Sequence, residues 1–122
     1  MYPKIMIFVA RWGGWPSFTP LLIKSIAAND LVEFMLLGET KPEGLPLPRN
    51  VAFTQLTLQD LTSRLRATVG LRLETLNVQG RARGWSSAKV NDLKPMFGEA
   101  FADVLRGYEW WGYMQEDVIL GR

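Results

Sequence analysis

The sequence predicts an α/β domain built on a Rossmann-like, mostly parallel sheet with flanking helices. Short apolar runs rich in strand-forming residues alternate along the chain with segments of helical period, and this alternation is typical of parallel sheets. The 122 residues are 48% hydrophobic and 21% charged, which suits a single globular domain spanning 1–122. Ligands of such sheets bind beyond the carboxyl ends of the strands, so the loops that follow strands are the first candidates for a site.

Four strands and three helices account for most of the pattern. The predicted strands are the apolar runs 4–10, 32–37, 51–56 and 109–114. The predicted helices are residues 19–28, with Thr19 as N-cap and Pro20 in the first turn, then Leu58–Val69, closed by Gly70. A third helix should begin near 92–95 and end at Gly107, with an apolar stripe of Leu93, Phe97, Phe101, Val104 and Leu105. Residues 71–88 lack a clean period and are predicted to be irregular.

The amino-acid composition excludes several kinds of site. The chain contains no cysteine and no histidine, so a disulfide, a thiolate metal site and a histidine acid or base are all excluded. Any metal must therefore be held by oxygen ligands, which favours magnesium, manganese or calcium. The N-terminal apolar run 5–10 is too short for a signal peptide or a transmembrane helix, and we expect a cytoplasmic protein without a transmembrane segment.

A basic stretch covers residues 61–91, where six basic residues accompany a single acid, Glu74. The stretch is either a solvated surface or a region that attracts phosphates. Nucleic acid is a weaker interpretation, because no aromatic residue interleaves with the basic ones until Trp85.

Three polar residues, Gln115, Glu116 and Asp117, follow the last predicted strand. Two adjacent carboxylates after an apolar strand are unfavourable unless they are solvated or bind a cation. Alternation along the strand would point Gln115 and Asp117 to one side and Glu116 to the other, and an oxygen pair at that spacing can hold a hard cation. A simple polar turn between two apolar runs is the alternative.

Two further segments carry candidate binding residues. Asp92 can cap a helix or accept hydrogen bonds from a nucleoside, and Lys94 can meet a phosphate. The Gly13-Gly14 pair follows the first strand and allows a ligand to approach the backbone closely.

The tryptophans next to these segments have two interpretations. Trp12 and Trp15 can stack on a base or close the edge of the core. The C-terminal aromatics Trp110, Trp111 and Tyr113 are predicted to belong to the sheet core.

Several segments of the chain resemble a known family. The segment 89–121, KVNDLKPMFGEAFADVLRGYEWWGYMQEDVILG, resembles a little-characterised glycosyltransferase-like family. That family has a K-x-x-D-x-K-P-x-x-G motif, a helix, G-Y-[DE]-[FW]-W-G-Y and a D-x-D-[VIL]-[IV]-x-G signature. The segments 4–18 (KIMIFVARWGGWPSF) and 45–53 (LPLPRNVAF) are also similar to it, so the likeness spans nearly the whole chain.

The resemblance implies a GT-A fold, a nucleotide-diphosphate sugar as donor, an unknown glycan or other acceptor, and a divalent cation, manganese or magnesium. Asp117 would then hold the metal, and Gln115 would contact the ribose or a metal-bound water. Asp92 would contact the nucleoside and Lys94 the diphosphate, while Arg11, Gly13 and Gly14 would line the nucleotide pocket. The first acid of the D-x-D signature is replaced by Gln115, which removes one charge from the pair.

The family continues past this signature, whereas the sequence ends at Arg122, so we expect a partial GT-A domain that holds the donor-binding half. The alternative function is a non-catalytic remnant that binds a nucleotide weakly or acts as an interaction module. In either case the C-terminal aromatic strand would form an open sheet edge, through which the protein is expected to self-associate.

Overall fold

The computed structural model describes residues 2–44, 46–70 and 93–121 and shows an α/β arrangement, as predicted. Its strands are β1 (Ile5–Ala10), β2 (Glu33–Gly38), β3 (Val51–Gln55) and β4 (Trp110–Met114). Its helices are α1 (Thr19–Ala27), α2 (Leu58–Val69) and the short α3 (Phe97–Ala100), which follows a 3₁₀ turn, Lys94–Met96. The predicted irregular segment 71–88 lies outside the described residues.

The four strands form one parallel sheet in the order β3-β2-β1-β4. Ile7 at the centre of β1 lies opposite Phe34 of β2 and Gly112 of β4. Because β1 has a strand on each side and helices on both faces, Phe8 and Val9 are fully buried.

Each face of the sheet carries its own apolar core. On one face α1 packs against the sheet through a cluster of Val9, Leu22, Ile23, Ile26, Phe34, Leu36 and Val51. On the other face α2 and α3 enclose Phe8, and the rings of Phe97 and Phe101 have centroids 6.0 and 5.3 Å from the Phe8 ring. The edge-on and tilted geometry of these rings is the arrangement that aromatic quadrupoles favour.

Helix α1 starts one residue earlier than its predicted cap implies. Phe18 is the N-cap, and Thr19 is the first helical residue, so the prediction of Thr19 as N-cap is wrong. The Thr19 hydroxyl donates to the carbonyl of Pro16 at 2.6 Å and therefore fastens the preceding loop to the helix. Pro20 lies in the first turn, where its missing N–H removes no helical hydrogen bond.

Helix α2 has the bounds that its end signals predict. The Thr57 side chain accepts from the Asp60 N–H and the Asp60 carboxylate accepts from the Thr57 N–H, both at 3.0 Å. These hydrogen bonds hold the pKa of Asp60 below its ordinary value. Gly70 ends the helix in the left-handed conformation, with φ of 74°.

The third predicted helix is much shorter than expected. Only Phe97–Ala100 is α-helical, and residues 101–107 continue as turns up to Gly107, whose φ is 86°. The predicted apolar stripe nevertheless packs on the α2 face of the sheet. The apolar side chains thus pack in the predicted core although the backbone forms successive turns. A periodic sequence pattern alone does not distinguish such turns from a helix.

The prediction that the C-terminal aromatics belong to the sheet core is wrong. Trp110, Trp111 and Tyr113 are 66%, 37% and 45% exposed. In the described part of the chain β4 pairs with β1 alone, so it forms an edge of the sheet. Leu120 beyond it packs on the α1 face and donates its N–H to the Ser25 hydroxyl at 3.1 Å.

Among the described residues, no helix is both long enough and apolar enough to cross a membrane.

Candidate functional site

The carboxyl ends of β1 and β4 lie side by side, and the ligand crevice of an open parallel sheet forms between strands arranged in this way. From β1 the chain proceeds through β2 to β3 at one edge, whereas β4 lies on the opposite side of β1. This is the topological switch point at which open parallel sheets place their ligands. The loop 11–18 follows β1 and the turn 115–118 follows β4, so both predicted site loops lie here.

Arg11 connects the two loops. Its Nε donates to the carbonyl of Gly14 at 2.7 Å, and its Nη1 forms an ion pair with Glu116 Oε1 at 2.7 Å. Both side chains are partly shielded from solvent, which makes the pair stronger than a fully exposed one. Arg11 is predicted only to line a nucleotide pocket, and these contacts show that it also fixes the shape of its own loop.

Glu116 differs from its predicted role. Alternation from β4 would turn it away from the site, but the strand ends at Met114 and residues 116 and 117 form a turn. The carboxylate therefore points to Arg11, and Gln115 and Asp117 on either side of it are exposed. Local sequence patterns do not reveal this contact, because the partner of Glu116 is 105 residues away in sequence.

Lys94 is buried beside this turn. Lys94 is the first residue of the 3₁₀ turn Lys94–Met96 and is only 2% exposed. Burial lowers the pKa of Lys94, and the carboxylates of Glu116 and Asp117 oppose that shift. A buried ammonium group needs compensating negative charge. These two carboxylates, and any bound anion, therefore stabilise the charged form of Lys94.

The glycine loop is open to solvent. Gly13 and Gly14 have φ of 89° and 90°, a conformation that side chains disfavour, and no atom lies within 4 Å of where their Cβ atoms would be. The opposite holds at Gly38, the last residue of β2, where a Cβ would collide with the carbonyl of Arg11. The Arg11 N–H donates to the Leu37 carbonyl at 2.8 Å, so the loop starts in close contact with β2.

The two tryptophans of the loop have different positions. Trp12 is buried and its indole N–H donates to the Leu56 carbonyl at 2.8 Å, so it belongs to the core and is excluded as a stacking surface. Trp15 is half-buried, and its indole N–H donates to the Thr40 carbonyl at 2.7 Å. Stacking on a base therefore stays open for Trp15 alone of these two rings.

Beside Trp15 lies a groove with a volume of about 390 Å³. It separates the loop after β1 from the loop after β2, and its lining includes Gly14, Trp15, Ser17, Thr40, Lys41 and Glu43. Residues 40–43 form the second wall of this groove, whereas their sequence pattern indicates only a connecting loop.

The carboxylates of the described ranges do not form a metal site by themselves: no group of three or more acidic side chains there can hold an ion. A cation held by one carboxylate together with phosphate oxygens of a substrate is a different arrangement, and it is usual for magnesium. Asp117 is an exposed carboxylate that follows Glu116 and lies within electrostatic range of Lys94. Asp92, the predicted nucleoside contact, lies outside the described residues.

Residues 7–122 match a family of unknown function (DUF6625), and the chain belongs to that family. A search of curated proteins and a search of solved structures found no match.

Proposed function

We propose that this protein is glycosyltransferase-like and binds a nucleotide-diphosphate sugar, together with a divalent cation, in the crevice between β1 and β4. The observation that carries the proposal is the buried Lys94, within electrostatic range of Glu116 and Asp117 at the switch point of the sheet. A diphosphate bound to a metal ion requires a positive group, a ligand for the metal and room at the backbone. The Lys94 ammonium, the Asp117 carboxylate and the Gly13-Gly14 loop are suited to these three tasks in that order.

Each residue has a separate task in this proposal. Asp117 holds the cation jointly with the diphosphate, and Gln115 adds a neutral oxygen toward the ribose or a metal-bound water. Lys94 contacts the diphosphate directly. Arg11 keeps the Gly13-Gly14 loop open through its bond to Gly14 while its charge is shared with Glu116.

In sugar transfer the bond between the anomeric carbon and the diphosphate oxygen breaks, and the diphosphate leaves with the electron pair. The acceptor oxygen forms the new bond to the anomeric carbon and gives its proton to the leaving diphosphate or to water. A divalent cation held by Asp117 would supply charge neutralisation for the leaving diphosphate. Lys94 would act on the same charge, and its low exposure strengthens the interaction because little water competes with it.

A non-catalytic interaction module is the second candidate, and the exposed aromatics of β4 favour it. The two candidates differ in their response to cations. A nucleotide-sugar site of the proposed kind requires a divalent cation, whereas an interaction surface of aromatic side chains does not.

The test is isothermal titration calorimetry with UDP and GDP, in manganese and in EDTA. We expect binding of at least one nucleotide in manganese, a loss of about tenfold or more in EDTA, and a similar loss for Asp117→Ala. Asp30→Ala is the matched control, since Asp30 is an exposed carboxylate that pairs with Arg49 before β2 begins. Equal affinity in EDTA, or unchanged affinity in Asp117→Ala, would refute the proposal.

Lys94→Met separates binding from folding. The substitution keeps the length of the side chain and removes a buried charge, so the melting temperature should stay the same or rise. Nucleotide affinity in manganese should fall by about tenfold or more, because a charge-assisted contact to the diphosphate is lost. A protein that melts earlier and binds the nucleotide as well as the wild type would show that Lys94 is structural.

A further inference from the structure

We infer that the groove beside Trp15 holds the base of the nucleotide, stacked on the Trp15 indole. The inference rests on the proposed function and adds the location of the nucleoside. The predicted nucleoside contact, Asp92, does not give this location because it lies outside the described residues. The inference depends on three features of the described residues: the fixed position of Trp15, the link through Gly14 between the groove and the charged pair of Arg11 and Glu116, and the polar side chains of the groove walls.

The Trp15 ring is held in one orientation. Its indole N–H, the only donor of the side chain, is bonded to the Thr40 carbonyl at 2.7 Å, and the ring also packs against the α1-side core. A ligand in the groove therefore meets a ring whose hydrogen-bonding group is already satisfied. An indole ring fixed in this way favours stacking with a planar aromatic ligand, because the ring loses little conformational entropy when the ligand binds.

Gly14 links the groove to the charged pair of Arg11 and Glu116. This residue lines the groove, and its carbonyl accepts the hydrogen bond from Arg11, which in turn pairs with Glu116. Gly13 and Gly14 have no side chains, and no atom lies within 4 Å of where their Cβ atoms would be. On this inference the ribose lies over the glycine backbone, with the base beside Trp15 and the diphosphate toward Asp117 and Lys94.

The walls of the groove suit a polar ring. Around Trp15 they carry Ser17, Lys41 and Glu43, which offer both donors and acceptors to the edge of a base. The volume of about 390 Å³ is near the lower end of the range of about 300–1,000 Å³ seen for small-molecule sites. These features fit a nucleoside better than a long apolar chain attached to the same diphosphate.

The first test compares nucleotide with pyrophosphate by calorimetry in manganese. In Trp15→Ala the affinity for the nucleotide should fall about tenfold, which is typical for loss of one base–aromatic stack, while pyrophosphate affinity should change less than about twofold. Trp15→Phe should keep most of the nucleotide affinity because it keeps a ring. Phe18→Ala is the matched control, since Phe18 is an exposed aromatic of the same loop that does not line the groove.

Ser17→Tyr tests the groove without removing any packed side chain. Ser17 is exposed and lines the groove, so a tyrosine there should fill it without loss of stability. The variant should bind pyrophosphate like the wild type and the nucleotide about tenfold more weakly.

An NMR experiment locates the base directly. The protein has five tryptophans, and the indole N–H signal absent from Trp15→Phe identifies Trp15. With magnesium as the cation, the nucleotide should shift that signal and pyrophosphate should not. If the wild type binds neither ligand, the proposed function and this inference both fail. If it binds both, but the Trp15 and Ser17 variants bind the nucleotide normally, the base lies elsewhere and only this inference fails.

Discussion

The tryptophans of the β1 loop and those of β4 show how strongly position in the sheet decides the role of the same residue type. Trp12 and Trp15 follow the central strand, and each donates its indole N–H to a backbone carbonyl of a neighbouring segment. Trp110 and Trp111 lie on an edge strand and are 66% and 37% exposed. The first pair fixes the geometry of the candidate site, whereas the second forms a surface.

The difference follows from how many neighbours each strand has. A central strand of a parallel sheet is covered by helices on both faces and by a strand on each side, so bulky side chains near its end find partners on all sides. An edge strand lacks one neighbour, and its aromatics remain exposed unless something covers them. Tryptophan content therefore says little about a site until the strand order is known.

The largest expected effect is on stability. Trp12→Ala should lower the free energy of unfolding by about 3–5 kcal/mol, because it creates a cavity and leaves the Leu56 carbonyl without its partner. Trp110→Ala, the matched change on the edge strand, should alter it by about 0.5 kcal/mol or less. Urea denaturation followed by circular dichroism measures both. Similar losses in the two variants would show that the edge tryptophan is as tightly packed as the central one.

The second effect concerns association. Residues 110–114 contain no charge and no proline, the features that usually protect an edge strand. We expect the protein to self-associate at low micromolar concentration, as measured by light scattering. Trp110→Lys should shift it toward monomer, and Leu31→Lys, at another exposed apolar position, should not. A wild-type monomer that melts cooperatively and binds no hydrophobic dye would contradict this expectation.

The smallest effect is expected at Gln115. Gln115→Asp restores the second carboxylate of the D-x-D pattern and should tighten manganese-dependent nucleotide binding by about fivefold. This is the effect in water of one added negative charge about 4 Å from a cation whose second positive charge is already offset by Asp117. The gain is limited because the position is exposed. Gln55→Asp is the control, since Gln55 is an exposed glutamine at the end of β3 in the same sheet. Equal or weaker affinity in Gln115→Asp would show that no cation lies between these side chains.

The parts of the fold that depend on local signals could be predicted from the sequence. Helix α2 has its expected bounds because Thr57, Asp60 and Gly70 specify both ends within a few residues of the helix. The predicted strands agree with the observed ones to within one residue at each end, since apolar runs bounded by polar residues mark them. The α/β class follows from the alternation of these elements.

The features that depend on distant partners could not be predicted in the same way. The ion pair of Arg11 with Glu116 requires that β4 lies beside β1, and strand order is not written in any local pattern. The burial of Lys94 and the exposure of Trp110 also depend on the place of β4 in the strand order. The two predicted loops do lie together at the carboxyl ends of β1 and β4, whereas Glu116 lies on the other side of its turn from the one predicted.

Gly38 has a consequence for comparing members of the family. Its missing side chain lets the backbone of Arg11 lie against the end of β2, and a methyl group there would displace that backbone. A relative with any larger residue at this position is therefore expected to carry its first loop on a different path. The identity of this one residue can thus be read from a relative's sequence as a marker of the loop's conformation.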